Sequence, residues 1–330
     1  FKQKTAYEMS SGLVGSEMCI RDRMRGLSKG GRTVSALGRR DRRLGILMIL
    51  PVVAFMLFLV VYPLVNLFTL SVQNYNMLSQ TSKYVGLRNF ERVVLNADFW
   101  ISLARTILYA FGTLIPCAVL GTLFAVLLNR DMPLRSFVRS FVLFPYLVPM
   151  VVTCAIFRYM FNDLVGVLDH LFVTLGLAKG TLNLFGTYNL AMAGVILVSV
   201  WKYTPMIMIA VLGKLQTISN DYYEAAQVDG ATIWQQFWHI TFPFILPPLT
   251  VVMLMRFIFL FNKWDLIYML TGGGPLNATA TLPMMLYSQA FSSYNLGRAA
   301  AIGVLMFVIL LLISRAYYRL NEMAERRLQA

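Results

Sequence analysis

Six stretches of this chain, roughly 44–70, 101–128, 137–160, 189–213, 245–268 and 295–318, run twenty residues or more with few charges. That is the length an α-helix needs to cross the hydrocarbon of a bilayer. In lipid, every backbone N–H and C=O must be satisfied within the protein, so only helices and closed barrels span. Barrel strands are about ten residues long and alternate in polarity, whereas these runs are longer and apolar throughout. The sequence therefore predicts an all-α integral membrane protein with about six transmembrane helices. Composition agrees: hydrophobic residues make up 58% of the chain and charged residues 13%, against about 25% charged in soluble domains. A soluble globule of 330 residues could not hide so much apolar surface.

The charges indicate orientation. Between Met24 and Arg43 lie Arg25, Lys29, Arg32, Arg39, Arg40, Arg42 and Arg43, against Asp41 alone. The short loop after the second run carries Arg130 and Arg135, with Arg139 just beyond, and the tail carries Arg315, Arg319, Arg326 and Arg327. Lys and Arg concentrate on the cytoplasmic side, so both termini and the 129–136 loop are expected there. Counting spans puts the 214–244 loop on the same side, although its Lys214 is outweighed by Asp221, Glu224 and Asp229. The net charge of +14 flanks apolar runs, a pattern of membrane topology rather than of nucleic-acid binding. Connections 71–100, 161–188 and 269–294 then face outward.

The N-terminus stands apart. Met18-Cys-Ile-Arg-Asp-Arg23 resembles the conceptual translation of a sequencing-library adapter, and residues 1–23 lack the apolar core of a signal peptide. Translation is expected to begin at or near Met24. The expected organisation is then a basic cytoplasmic segment 24–43, a membrane domain 44–318 with the loop at 214–244, and a cytoplasmic tail 319–330. Cys117 and Cys154 sit in apolar runs without metal or redox spacing. His170 and His239 match no ligand motif. No metal site, nucleophile constellation or phosphate loop is expected, so the chain reads as a non-enzyme.

The 214–244 loop has a pattern of its own. Asp221 and Glu224 are spaced as an N-cap with its reciprocal acid. Tyr223, Ala226, Gly230, Ile233 and Phe237 recur every three or four residues, giving one small or apolar face. Ala225 and Ala226 favour helix, Gly230 permits a sharp turn between two short helices, and Pro243 is expected to end the segment. Taken by itself, this is an amphipathic loop helix that could simply pack on its own bundle.

The full spacing is more specific. Glu224-Ala-Ala-Gln-Val-Asp-Gly230, followed after nine residues by Ile240-Thr-Phe-Pro243, resembles the EAA loop of permease subunits in binding-protein-dependent ABC importers. Phe242 stands where leucine is usual. Phe144-Pro-Tyr-Leu-Val-Pro149 resembles that family's L-P-Y-x-x-P. Leu270-Thr-Gly-Gly-Gly-Pro275, with Thr279 and Thr281 after it, resembles the signature of its sugar-permease branch, including the first membrane subunit of the maltose transporter. The resemblance runs from about Leu44 to Arg319. It implies a type I importer permease fold in the bacterial cytoplasmic (inner) membrane. It implies that Glu224, Ala225, Ala226, Asp229, Gly230, Ile240 and Pro243 couple to an ATPase, with ATP and Mg held on that partner. The partners it implies are two ATP-binding cassette subunits, a second and different permease, an external solute-binding protein and a sugar substrate. The chain itself needs no cofactor.

Polar groups inside spans are costly in lipid and mark a path. Span three offers Tyr146; span four Ser199, Trp201, Lys202 and Tyr203; span five Arg256, Asn262, Lys263, Trp264 and Asp265. Arg256 and Lys263, seven residues apart, lie on nearly the same helix face. The family's sugar contacts, carried over by position, fall on Tyr146, Ser199, Lys202, Tyr203, Asn262 and Lys263. Several identities differ from the maltose subunit, so its sugar does not transfer. The lysines also fit structural ion pairs with Asp265. A permease for a sugar phosphate or polyol, an ion-driven transporter and a membrane-embedded enzyme stay open as alternatives; the last would have only Asp265 as a span acid.

Overall fold

The computed structural model describes residues 39–130, 133–176 and 183–329. The adapter-like residues 1–23 and most of the basic segment 24–43 lie outside them. The chain divides into two units, Phe1–Asn66 and Leu67–Ala330. In the first, the described part is helix α1 (Arg39–Ser71) as far as Asn66, with Pro51 and Pro63 within the helix and Phe58 stacked on Tyr62. The span proper covers Leu44–Ser71.

The second unit opens with a two-stranded antiparallel hairpin, β1 (Gln73–Asn76) against β2 (Thr81–Tyr84), in the expected outer connection. Asn89, at the start of the short helix α2 (Arg88–Val94), donates to the carbonyls of Ser71 and Gln73 and pins the hairpin. Helix α3 (Ala97–Asn129) is capped by Asn96, whose side chain accepts from the Asp98 N–H. Then follow α4 (Arg135–Leu147), α5 (Met150–Met160), α6 (Val167–Thr174), α7 (Tyr188–Leu215) and α8 (Asn220–Val228). Helix α9 runs Ile233–Phe261 through a π turn at Phe237–Thr241, and α10 (Asp265–Thr271), α11 (Leu282–Tyr287) and α12 (Leu296–Gln329) complete the order.

Among the described residues, five helices are long and apolar enough to cross a membrane, and a sixth span results if the α4–α5 pair counts as one. This is the all-α multi-spanning fold expected. Two boundaries differ from expectation. Span three, read as a continuous 137–160, is broken between Leu147 and Met150 by a bend of 95°. Pro149 has no N–H to continue the helix and forces Val148 into an extended conformation (φ −64°, ψ 130°). Span five, read as 245–268, ends at Phe261: Asn262 caps it, and Asp265 starts the separate helix α10. The Gly-Gly-Gly-Pro turn therefore closes α10 rather than the span itself. Its threonines hold it, with Thr271 Oγ1 2.7 Å from Thr279 Oγ1 and Thr279 donating to the Gly274 carbonyl.

The centre of this unit is α3 packed on α7, with α9 against both. Gly121 makes the close approach possible: a Cβ there would lie 2.9 Å from Ile207 Cβ and 3.1 Å from the Met208 amide nitrogen. Small residues at such contacts let membrane helices pack closely where no hydrophobic force separates lipid from protein. Tyr109 of α3, fully buried, meets Ser199 of α7 at 3.0 Å, a polar pair across this interface.

Candidate functional site

The 214–244 loop is two helices joined by a tight turn. Ser219, not Asp221, is the N-cap of α8; its side chain accepts from the Asp221 N–H at 3.3 Å, leaving Asp221 in the first turn, where an acid complements the helix dipole. At the other end, the Ala231 N–H bonds to the Ala226 carbonyl and the Gly230 N–H to the Gln227 carbonyl. That pair is a Schellman motif, which needs a left-handed residue at Gly230, and its φ is +77°. Thr232 and Gln235 then form a capping box that starts α9. This T-x-x-Q is legible in the sequence as a helix start.

Pro243 does not end the segment, as expected, but sits inside continuous helix. The Phe242 N–H reaches back five residues to the Phe237 carbonyl, and the widened turn accommodates a proline that would clash in a regular α-helix. Tyr223 of α8 shares a hydrogen bond with Thr241 in that turn, and Tyr222 packs on Phe244. Glu224, Ala225, Asp229, Gly230 and Pro243 are exposed, while Ala226 and Ile240 are half-buried. A cleft of about 520 Å³ opens between this loop and the end of α3, lined among others by Arg130, Tyr223, Glu224, Gln227 and Phe237.

The intramembrane candidates meet where the α4–α5 break, the middle of α7 and the end of α9 come together. Lys202 reaches into the break: Nζ donates to the Val148 carbonyl at 2.5 Å, to the Pro145 carbonyl at 3.4 Å and to Thr153 Oγ1 at 3.5 Å. Carbonyls freed by a helix break need such donors in a dry interior. Asp265 instead pairs with Lys263, at 2.9–3.0 Å. Of the two ion pairs considered, Lys263–Asp265 forms, and Lys202 is committed to carbonyls.

Arg256 lies at the centre of this region, although it was outside the expected path residues. Its guanidinium is 5.0 Å from the Tyr203 ring, 5.3 Å from Phe259 and 5.9 Å from Tyr146. Lys263 Nζ shares two of these rings, at 5.7 Å from Tyr203 and 4.7 Å from Phe259. The seven-residue spacing to Lys263 was the signal for including it. Tyr146, Tyr203 and Lys263 are thus gathered around Arg256, while Lys202, next to Tyr203 on α7, is held in the α4–α5 break. Asn262 is exposed beside it and donates to the Ile258 carbonyl. Ser199 is fully buried, its hydroxyl shared between Tyr109 and the Val195 carbonyl, so it faces the α3–α7 interface rather than the cluster. Among the described residues, no group of His, Cys, Asp and Glu is placed to hold a metal.

Residues 117–328 match the family described as the binding-protein-dependent transport system inner membrane component. The trehalose/maltose transport system permease protein MalF of Thermococcus litoralis is 34% identical over 291 residues, covering 87% of this chain and 97% of the relative. The inner membrane ABC transporter permease protein YcjO of Escherichia coli is 33% identical over 289 residues, covering 86% and 97%. The sulfoquinovosyl glycerol transport system permease protein SmoG of Agrobacterium fabrum is 30% identical over 281 residues, covering 85% and 91%. Among solved structures, a chain of a bacterial alginate ABC transporter, in complex with an alginate pentasaccharide-bound periplasmic protein, superposes with a TM-score of 0.76. It is 22% identical, with 88% of this chain and 97% of that chain covered, a likeness of fold.

The chain belongs to the family of inner membrane components of binding-protein-dependent transport systems. It is a multi-pass permease subunit of an ABC importer, similar to members of the sugar-transport branch, and a transport component rather than an enzyme.

Proposed function

We propose that this permease carries a sugar or sugar-like solute along a path beside Tyr146, Lys202, Tyr203, Asn262 and Lys263. ATP hydrolysis drives the path through Glu224–Gly230, Ile240 and Pro243. One observation carries the reading. Helix α9 begins at the loop turn, takes the Tyr223–Thr241 bond near its start, and runs without a break to Phe261, next to Asn262 and Lys263. A rigid element joining a docking helix to a solute site is what alternating access requires. The aromatic rings and hydrogen-bonding groups of the cluster suit carbohydrate. Similar permeases are named for trehalose and maltose, for multiple sugars and for sulfoquinovosyl glycerol.

In this reading both termini and the 214–244 loop are cytoplasmic, residues 44–318 form the membrane domain, and 24–43 and 319–330 flank it. Two ATP-binding cassette subunits dock at the loop, with ATP and Mg on those subunits. A second, different permease completes the path, and an external binding protein delivers the solute. The test is purification from native membranes followed by reconstitution in liposomes. Co-purification of an ATPase and ATP-dependent uptake of a saccharide are expected. Uptake that persists without ATP would exclude the reading in favour of an ion-driven transporter.

A further inference from the structure

Three cations lie buried in the cluster, Lys202, Arg256 and Lys263, with relative exposures of 5%, 7% and 9%. Among the described residues, Asp265 is the one carboxylate paired there, and Lys263 takes it. Lys202 is matched by carbonyls and a hydroxyl that carry no full charge. Among the described residues Arg256 forms no ion pair, and its Nε and Nη2 are buried without an acceptor; the nearby Tyr203 hydroxyl is likewise buried and unpartnered. The region therefore holds two positive charges more than negative ones, in the middle of a membrane protein.

Such an arrangement is expensive as it stands. A buried charge without its counter-ion is strongly unfavourable, and cation–π contacts offset only part of that cost. Intramembrane cations of this kind are retained where they meet a partner in function. Guanidinium nitrogens without acceptors, buried in this conformation, with the Lys263 ammonium over two of the same rings, suit a planar or tetrahedral oxyanion, which accepts two parallel charge-assisted hydrogen bonds. The ring of Tyr146, an exposed residue, lies 5.9 Å from the guanidinium.

We infer that the solute carries an anionic group, a carboxylate, sulfonate or phosphate on a saccharide, which passes Arg256 and Lys263 during translocation. The inference rests on the reading of this chain as a saccharide permease and narrows its substrate class. Arg256 is the specificity-determining residue, with Lys263 beside it.

The complete transporter, with its binding protein, is reconstituted in liposomes and given an equimolar mixture of neutral disaccharides and their carboxylated, sulfonated and phosphorylated counterparts. Solute accumulated on ATP addition is identified by mass spectrometry. The expected cargo is acidic. In Arg256→Gln and, separately, Lys263→Gln, the acidic-to-neutral uptake ratio should fall by about tenfold or more, the loss of one charge-assisted hydrogen bond. Arg256→Lys should restore part of it. Accumulation of neutral sugars alone would overturn the inference and leave the permease reading standing. An unchanged ratio in both Gln variants would overturn it too. So would dissociation of the permease pair in Arg256→Gln with selectivity unmoved in Lys263→Gln, because the counter-ion would then be a carboxylate of the second permease. No ATP-driven accumulation of any saccharide would overturn both readings together.

Discussion

Tyr223 and Thr241 face each other at 3.0 Å, hydroxyl to hydroxyl, and this bond fastens α8 to the first turns of α9. Thr241 is buried and lies within the π turn, so the bond sits inside the joint. The Tyr222–Phe244 ring contact, 5.4 Å between centroids, adds a second tie one residue away. With the turn at Gly230 closed by its own hydrogen bonds, α8 has little freedom to move without α9. In the proposed reading, a push on α8 becomes a displacement of the helix that ends beside Asn262 and Lys263.

Tyr223→Phe should therefore weaken coupling more than folding. A single neutral hydrogen bond contributes about 0.5–1.5 kcal/mol, so the variant should stay assembled with a slightly lower Tm. ATP consumed per solute imported should rise. Thr241→Val, which also loses the longer bond to the Gln236 carbonyl, should do the same, and the double variant should be little worse than Thr241→Val alone, since the Tyr223 hydroxyl has then already lost its partner. Parallel uptake and ATPase measurements in proteoliposomes check this; additive losses would mean the two residues act separately.

Gly230 is required for its backbone, not for space. No atom lies within 4 Å of a Cβ built there, yet φ is +77°. Gly230→Ala should cost about 1–2 kcal/mol, the strain of an L-residue in the left-handed region, and Gly230→Asn less. Gly230→Asp also places a carboxylate on the exposed turn. The membrane subunit should remain folded while ATP hydrolysis is uncoupled from transport. Normal uptake by that variant would count against the docking role.

Much of this fold was legible because span length and the need to satisfy the backbone in lipid leave few choices. The turn at Gly230 was legible too, since glycine between two helical patterns has few uses. What was missed depends on tertiary detail. The break at Val148–Pro149 was written in the two prolines of Phe144–Pro149, but an apolar count passes over it. Span five was drawn through Asn262–Asp265 because Leu266–Leu270 restores the apolar run; the polar tetrad is the join between two helices. Arg256 was noticed as a span cation and left out of the path, because only packing shows which rings surround it. Ser199 was included by position, and its burial against Tyr109 is invisible in one dimension.

Asn262 is the exposed polar group at the end of α9, and its side chain bonds only to the Ile258 carbonyl. Asn262→Ala should change stability by less than about 1 kcal/mol, as an exposed helix-end position does, while uptake falls or its specificity shifts. Transport assays at matched expression decide it. Unchanged uptake and unchanged specificity would remove Asn262 from the path.

Lys202 has two possible roles that one variant separates. Its ammonium has three donors, and three acceptors stand within 3.5 Å: the Pro145 and Val148 carbonyls and Thr153 Oγ1. The positive charge also lies at the carboxyl end of α4, where the helix dipole favours it. Lys202→Met keeps the length and apolar stem but withdraws every donor, leaving the carbonyls of the break unpaired in a dry interior. An abandoned buried acceptor costs about 1–3 kcal/mol, so the detergent-solubilised transporter should unfold at a clearly lower temperature. Lys202→Arg should not rescue it fully, because a planar fork cannot satisfy the same three directions. A Met variant with wild-type Tm and lost uptake would show instead that Lys202 serves the solute and that the break holds itself together.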